Sequence, residues 1–211
     1  MIIIFIKKLI FKLKYKSCKV GSGVLVSRKV IVGKDCLLGR NSSISPNVIL
    51  GNNVSVGEGV SLRNINIGNS TMIESGVKTP GTKKGKIKIG KECYIGINNV
   101  FDTSDDINIG NYVHIAGPST GLWCHSSAKM CLNSIPLKDK ERDKFRPTSP
   151  INIESNVYIG GNCTIYPGVT IGHHSIVTPN SVVTKSFLPY SFIGGVPAVK
   201  IKNIKNKSNF L

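Results

Sequence analysis

The chain has 211 residues, 40% of them apolar, 18% charged and 7% aromatic, with 22 glycines and 28 basic against 11 acidic side chains for a net charge of +17. That apolar share argues against intrinsic disorder, the scarcity of Ala and Leu argues against a helical bundle, and no apolar run approaches the ~20 residues of a membrane-spanning helix. The charge excess favours anionic partners, and six cysteines with no C-x-x-C pair leave a zinc knuckle or thioredoxin-like motif unsupported and read as free cytosolic thiols, several at small core positions.

Residues 1–20 read as a basic amphipathic segment. Ile3, Ile6, Ile10 and Phe11 alternate with Lys7, Lys8, Lys12 and Lys14. Two readings stay open: a helix packed on the main body, or peripheral association of residues 1–16 with an anionic membrane. The lysines follow the apolar start and no A-x-A-like site appears, so a signal peptide is only loosely matched.

From residue 21 to about 200 the dominant signal is an internal repeat. Val32, Leu38, Ile44, Leu50, Val56 and Leu62 recur every six residues, with Gly33, Gly39, Gly51 and Gly57 following four of them. Ile153, Ile159, Ile165, Ile171, Val177 and Val183 repeat the rhythm, and Ile67, Ile89, Ile95 and Ile109, each followed by Gly, continue it between. An α-helix has no six-residue period. A short strand, a turn and another short strand give one inward aliphatic residue per repeat, with Gly and Asn accepting positive φ at the corners. Stacked coils then pair their backbones at ~4.8 Å spacing.

Two stretches break the rhythm. KTPGTKKGK at 78–86 reads as a small basic loop, and 117–150 reads as a long insertion holding the single Trp and the run KDKERDKFR. Insertions of that length in a solenoid project from one face, often the binding face. Residues 201–211 form a basic tail. His173 and His174, next to Ile171-Gly172, read as solvent-exposed corner residues.

The repeat resembles the hexapeptide-repeat acyltransferase family, and the stretch Leu122-Trp123-Cys124-His125 with the returning NVYIGGNCTIYPGVTIG resembles bacterial sugar O-acetyltransferases of polysaccharide synthesis. The resemblance implies an all-β fold, a left-handed parallel β-helix of triangular section, a hand that breaks the usual crossover rule. It implies acetyl-CoA as cosubstrate, a homotrimer with sites between subunits, cytoplasmic location, at the inner face of the membrane if the N-terminal segment binds lipid, and an acceptor hydroxyl on a sugar or polysaccharide precursor.

Acyl transfer to a hydroxyl needs a base, and imidazole suits neutral pH. In the family a histidine on the loop leaving the wall does this, which points to His125. Asn98, Asp102, Trp123 and His114 are the candidates for acceptor binding. SVVTKSFLPYSFIGGVPAVKIK resembles the family's closing signature, which carries Gly161, Thr178, Thr184, Lys185 and Lys200 forward as cosubstrate contacts. Val199 stands where the family usually has a cation after Pro-Ala, so Lys202 rivals Lys200 for the phosphate. An oxyanion donor is expected near Gly160 or Gly161. Adjacent residues on an extended segment point apart, so a Cys124–His125 nucleophile pair is disfavoured. Four scattered histidines without H-x4-H spacing argue against a catalytic metal. An antibiotic or other small-molecule acetyltransferase, and a non-enzymatic basic binding module, are the alternatives. The dispersed basic residues lack the aromatic interleaving of a nucleic-acid interface, so no nucleic acid is expected.

Overall fold

A computed structural model describes residues 16–81 and 84–204. Most of the amphipathic N-terminal segment and of the basic tail therefore lies outside the described residues.

Short parallel strands stack into a three-faced, left-handed β-helix. The first face runs from Lys19–Val20 to Ile176–Val177 and closes with Ser191–Gly195 and the antiparallel Ala198–Asn203. The second face comprises Leu25–Val26, Ser43–Ile44 and Ser61–Leu62, then Val100–Phe101, Gly121–Leu122, Thr164–Ile165 and Val182–Val183, joined through single bridges at Lys78. The third face carries seven strands from Ile31–Val32 to Thr170–Ile171.

Each two-residue strand of the coils points one apolar residue inward, and Leu38, Val56, Ile73, Ile95, Ile115, Ile159 and Val177 form one such column along the first face, each 1% exposed or less. Burying each of these side chains contributes roughly 1.5–3 kcal/mol. The corners behave as the composition requires: among the described residues sixteen non-glycine residues have positive φ, eight of them asparagine. At Gly39 the requirement is spatial, because a Cβ there would sit 2.4 Å from the Gly57 carbonyl carbon one coil on.

A second inward slot precedes each column by two residues; on the third face it takes Ile65, Ile87, Ile107 and Ile151, and on the other two faces mostly smaller side chains, several of them polar. Ser42, Thr71 and Thr120 donate hydroxyl hydrogen bonds to the carbonyls of Gly57, Gly90 and Gly160 in the next coil, at 2.8, 2.9 and 3.1 Å. Cys36 and Cys93 donate their thiols in the same way to Gly51 and Gly110, both at 3.1 Å. Four of the six cysteines are buried and all six are free thiols. Among the described residues no buried side-chain nitrogen or oxygen lacks a partner.

Two boundaries differ from the sequence reading. The first strand, Lys19–Val20, already pairs with Leu37–Leu38, so the solenoid starts inside the segment assigned to the N-terminal appendage. The insertion also starts later than residue 117: Leu122 occupies the inward slot between Phe101 and Ile165. Ile115 and Leu122 are seven residues apart rather than six, and the extra residue is absorbed at the corner around Ser119, φ 62°. One added corner residue hides the rhythm without lifting the chain off the wall.

The true excursion leaves after His125 and returns at Thr148. Its neck is a short antiparallel clasp: His125 bridges Thr148, Ser149 N–H donates to Cys124 O at 2.9 Å, and Ser126 N–H donates to Pro147 O at 3.3 Å. Beyond the neck lie helix α1 (Ala128–Leu132) and a 3-10 turn at Arg142–Phe145.

Candidate functional site

The site begins with a carboxylate buried in the wall. The strand Val100–Phe101 lies on the second face, and Asp102 follows it at the corner toward the third. The same corner carries Trp123, Tyr166 and Thr184 in register, one from each succeeding coil. Asp102 is 2% exposed. Its Oδ1 accepts from Ser104 N–H at 3.0 Å and Ser104 Oγ–H at 2.7 Å, and its Oδ2 accepts from Cys124 N–H at 3.1 Å.

His125 completes the arrangement. Its Nδ1 lies 2.5 Å from Asp102 Oδ2 and 3.2 Å from Ser104 Oγ. Both contacts fall on one ring nitrogen. A carboxylate can only accept, so Nδ1 carries the hydrogen and Nε2 keeps its lone pair. The side chain is 24% exposed, so that lone pair belongs to a ring reachable from solvent while its other edge is held. The clasp to Thr148 fixes the backbone that delivers the ring. Together these parts form a base–orienter pair of the kind that moves a proton from a hydroxyl.

Cys124, its neighbour, is fully buried. Burial, with Asp102 and Asp105 adding to it, pushes its thiol up to about 12, so the thiolate that nucleophilic attack requires is scarce at neutral pH. Trp123 is 38% exposed, and its indole folds over the wall where Gly121 leaves room: a Cβ on Gly121 would meet Nε1 at 2.4 Å.

The other candidates are distributed around the coil. His114 lies on the outside of the first face, between Tyr94 and Tyr158 with ring centroids 4.4 and 5.3 Å away, and burial of its ring lowers its pKa below 6.5. Asn98 is an exposed corner residue with φ 57°, across the second face from His125. Its neighbour Asn99 is buried and structural, accepting from Thr120 N–H at 2.8 Å. Gly161 and Thr178 sit on the corner between first and second faces, whereas Thr184 and Lys185 sit on the corner that holds Asp102 and Trp123. The five cosubstrate candidates therefore do not converge within one protomer. Lys200 is opposite Ile193 in the closing hairpin, and Lys202 lies with its ammonium 5.2 Å from the centroid of Phe192. Gly160 is a poor oxyanion donor, because its N–H already donates to Val177 O at 2.9 Å.

His173 and His174 depart from expectation. They are half-buried rather than solvated, with Nδ1 atoms 2.9 Å apart and His174 stacked on Tyr190. Aromatic contact across the corner outcompetes hydration there. Ser104 is the site residue that the sequence reading missed. A serine two positions after an aspartate carries no distinguishing signal. Among the described residues no group of three His, Cys, Asp or Glu side chains is placed to hold a metal ion.

Known proteins share this architecture. The family model described as bacterial transferase hexapeptide (six repeats) matches residues 29–64 and 150–185. The crystal structure of a hexapeptide-repeat-containing acetyltransferase from Vibrio cholerae is 32% identical, covering 66% of this chain and 74% of its own, with a TM-score of 0.51. The polySia-specific acetyltransferase NeuO, 24% identical over 93% of each chain with a TM-score of 0.55, shares the fold. A chloramphenicol acetyltransferase from Klebsiella aerogenes is 27% identical over 150 residues, 62% of this chain and 71% of the relative. For other curated relatives the chain spans only about half the length, 51–57%.

Proposed function

Because the chain belongs to the hexapeptide-repeat acetyltransferases, we propose that it transfers an acetyl group from acetyl-CoA to a hydroxyl of a sugar, in a surface polysaccharide or its precursor. The observation that carries this reading is the buried Asp102 carboxylate 2.5 Å from His125 Nδ1, which leaves Nε2 basic and accessible.

The reaction is a direct transfer. Nε2 of His125 takes the hydroxyl proton as the oxygen attacks the acetyl carbonyl carbon. The tetrahedral oxyanion collapses, the carbon–sulfur bond breaks, and the CoA thiolate leaves and recovers the proton from the imidazolium. Asp102 stabilises that imidazolium and holds the ring; Ser104 holds Asp102. Trp123, on the same corner, offers an aromatic face to the acceptor ring or the cosubstrate.

The split of the cosubstrate candidates supports a site between subunits. One protomer lends the corner of Trp123, Thr184 and Lys185, and its neighbour lends the corner of Gly161 and Thr178. An apolar stripe suited to subunit contact runs outside the first face: Met72 (43% exposed), Tyr94, His114, Tyr158 (39% exposed), Ile176 and Phe192. A homotrimer closes such contacts in a ring. Free thiols throughout fit a reducing compartment such as the cytoplasm.

The likeness to a chloramphenicol acetyltransferase favours a second reading, in which the acceptor is a small-molecule hydroxyl. CoA release, followed with a thiol reagent across a panel of sugars, nucleotide sugars and chloramphenicol, separates the two. His125→Ala is expected to lower kcat about 10²–10⁴-fold on the accepted substrate with an unchanged melting curve; turnover within threefold of wild type would remove His125 as the base.

A further inference from the structure

The outward positions of the coils change character along the axis. On the third face they read Ile31, Ile49, Asn66, Lys88, Asn108, Asn152 and Thr170, so aliphatic residues occur only in the first two coils. On the second face the first coil shows Leu25, and the two coils after it show Ser43 and Ser61. Leu25 is 61% exposed, Ile31 58% and Ile49 40%. Leu37, on the first face, is separated from the apolar stripe that begins at Met72 by Ser55. Leu25, Ile31 and Ile49 cover two faces at one end of the prism, whereas the apolar stripe assigned to subunit contact follows a single face along its length.

The charges at that end point the same way. Residues 16–56 contain six cations, Lys16, Lys19, Arg28, Lys29, Lys34 and Arg40, against the single acid Asp35. Residues 150–200 contain Lys185 and Lys200 against Glu154. All six cations of the first end are exposed; Arg28 and Lys29 form the corner between Leu25 and Ile31, and Lys34 begins the next corner. Only Arg40 has an ion-pair partner among the described residues, Glu58 at 3.7 Å. The fifteen residues that precede this coil in the chain add four lysines and no acid to a largely apolar sequence.

We infer that the N-terminal end of the β-helix is a docking surface for an anionic lipid bilayer. Leu25, Ile31 and Ile49 enter the headgroup boundary, while Arg28, Lys29 and Lys34 meet lipid phosphates. A soluble polyanion would be met by the cations and would gain nothing from three exposed aliphatic side chains. A protein partner would not need an unbalanced charge of this size. In a closed ring of parallel protomers the three ends lie in one plane, which multiplies the affinity of each.

The test is sedimentation of the full-length protein with vesicles of phosphatidylcholine alone or with 30% phosphatidylglycerol. Strong binding is expected only to the anionic vesicles. Arg28→Glu/Lys29→Glu is expected to weaken it at least about 100-fold, and Leu25→Ser/Ile31→Ser about tenfold or more. Melting curve, oligomeric mass by light scattering and CoA release on soluble acceptor are expected to stay at wild-type values in both. Equal binding to both vesicle types, or no binding, overturns the proposal. So does full binding by the serine variant, which would mark a site for polyanions, or a changed oligomeric mass, which would mark a protein interface. Loss of binding on Lys7→Glu/Lys8→Glu together with full binding by Arg28→Glu/Lys29→Glu would move the contact off the coil and overturn it as well.

Discussion

His114 and His125 belong to the same turn of the solenoid, and their surroundings could hardly differ more. His125 hangs from a strand end, with a buried carboxylate 2.5 Å from one ring nitrogen and the other left open. His114 stands on the flat outside of a strand, flanked by Tyr94 and Tyr158, and the resolved influence on its pKa is burial, which lowers it. One imidazole has a buried carboxylate to orient it; the other stands between aromatic side chains with no charged partner beside it among the described residues. A β-helix repeats its backbone almost identically from coil to coil, so the difference must come from the corner residues: Asp102, Ser104 and the clasp at Thr148 make a functional site of an otherwise regular turn.

If that contrast is sound, Asp102→Asn is the substitution that damages catalysis most without touching the imidazole. Asparagine has a single carbonyl oxygen: with it turned to Ser104, its amide faces the Cys124 N–H and His125 Nδ1, which the carboxylate Oδ2 now serves. It cannot stabilise an imidazolium, and its amide can turn a donor toward Nδ1 and leave the proton on Nε2. A fall in kcat of about 10²–10³-fold is expected with KM little changed. The fold should persist, since the site loses a charge and keeps its volume. Rates within tenfold of wild type would mean that the carboxylate serves the wall rather than the histidine.

Ser104→Ala sharpens the same contrast at smaller amplitude. It removes one hydroxyl that donates to Asp102 Oδ1 at 2.7 Å and sits 3.2 Å from His125 Nδ1. The Ser104 and Cys124 backbone amides still hold the carboxylate. A hydrogen bond to a charged group is worth about 1.5–3 kcal/mol, so a loss of roughly 10–100-fold in kcat is the expected range. The split between kcat and KM separates positioning from mere packing: kcat should fall with KM little changed, whereas a loosened wall would also raise KM and lower the melting temperature.

Much of this was legible in the residues. The six-residue spacing of Val32 to Leu62 and Ile153 to Val183 fixes which side chains face inward, and three such steps make one turn of the three-sided coil. His125 could be singled out because the stretch Leu122-Trp123-Cys124-His125 resembles the family's histidine-bearing loop. Asp102 was noticed with a different role in view: its burial and its aim at Nδ1 depend on residue 102 and residue 125 being brought together across one coil, a separation of 23 positions that no local pattern encodes. The onset of the insertion was obscured by a single extra residue at the corner before Leu122. Glycine or asparagine marks most corners, but the corner at His174 takes a histidine with φ 57°, its ring stacked on Tyr190. The stripe of Met72, Tyr94, His114 and Tyr158 was likewise invisible, since its successive members are 20 to 44 residues apart in the chain.

The smallest expected effect tests the other half of the comparison. Burial depresses the pKa of His114 in the folded protein below the 6.5 of an unperturbed imidazole. As pH falls through that value the unfolded chain takes up a proton that the folded chain refuses, so the unfolded state binds more protons and stability drops with pH. Well above it both states are neutral and His114 contributes nothing to the pH dependence; below the folded pKa the loss is complete. His114→Phe keeps an aromatic ring between the two tyrosines and has no proton to refuse. Its melting temperature should therefore fall less than that of wild type between pH 7.5 and pH 5, with CoA release at pH 7.5 within about threefold of wild type. A variant that melts in parallel with wild type at both pH values would show that the ring is solvated when charged. One that loses activity as His125→Ala does would show that the two histidines act in the same site, and the division drawn between them would fall.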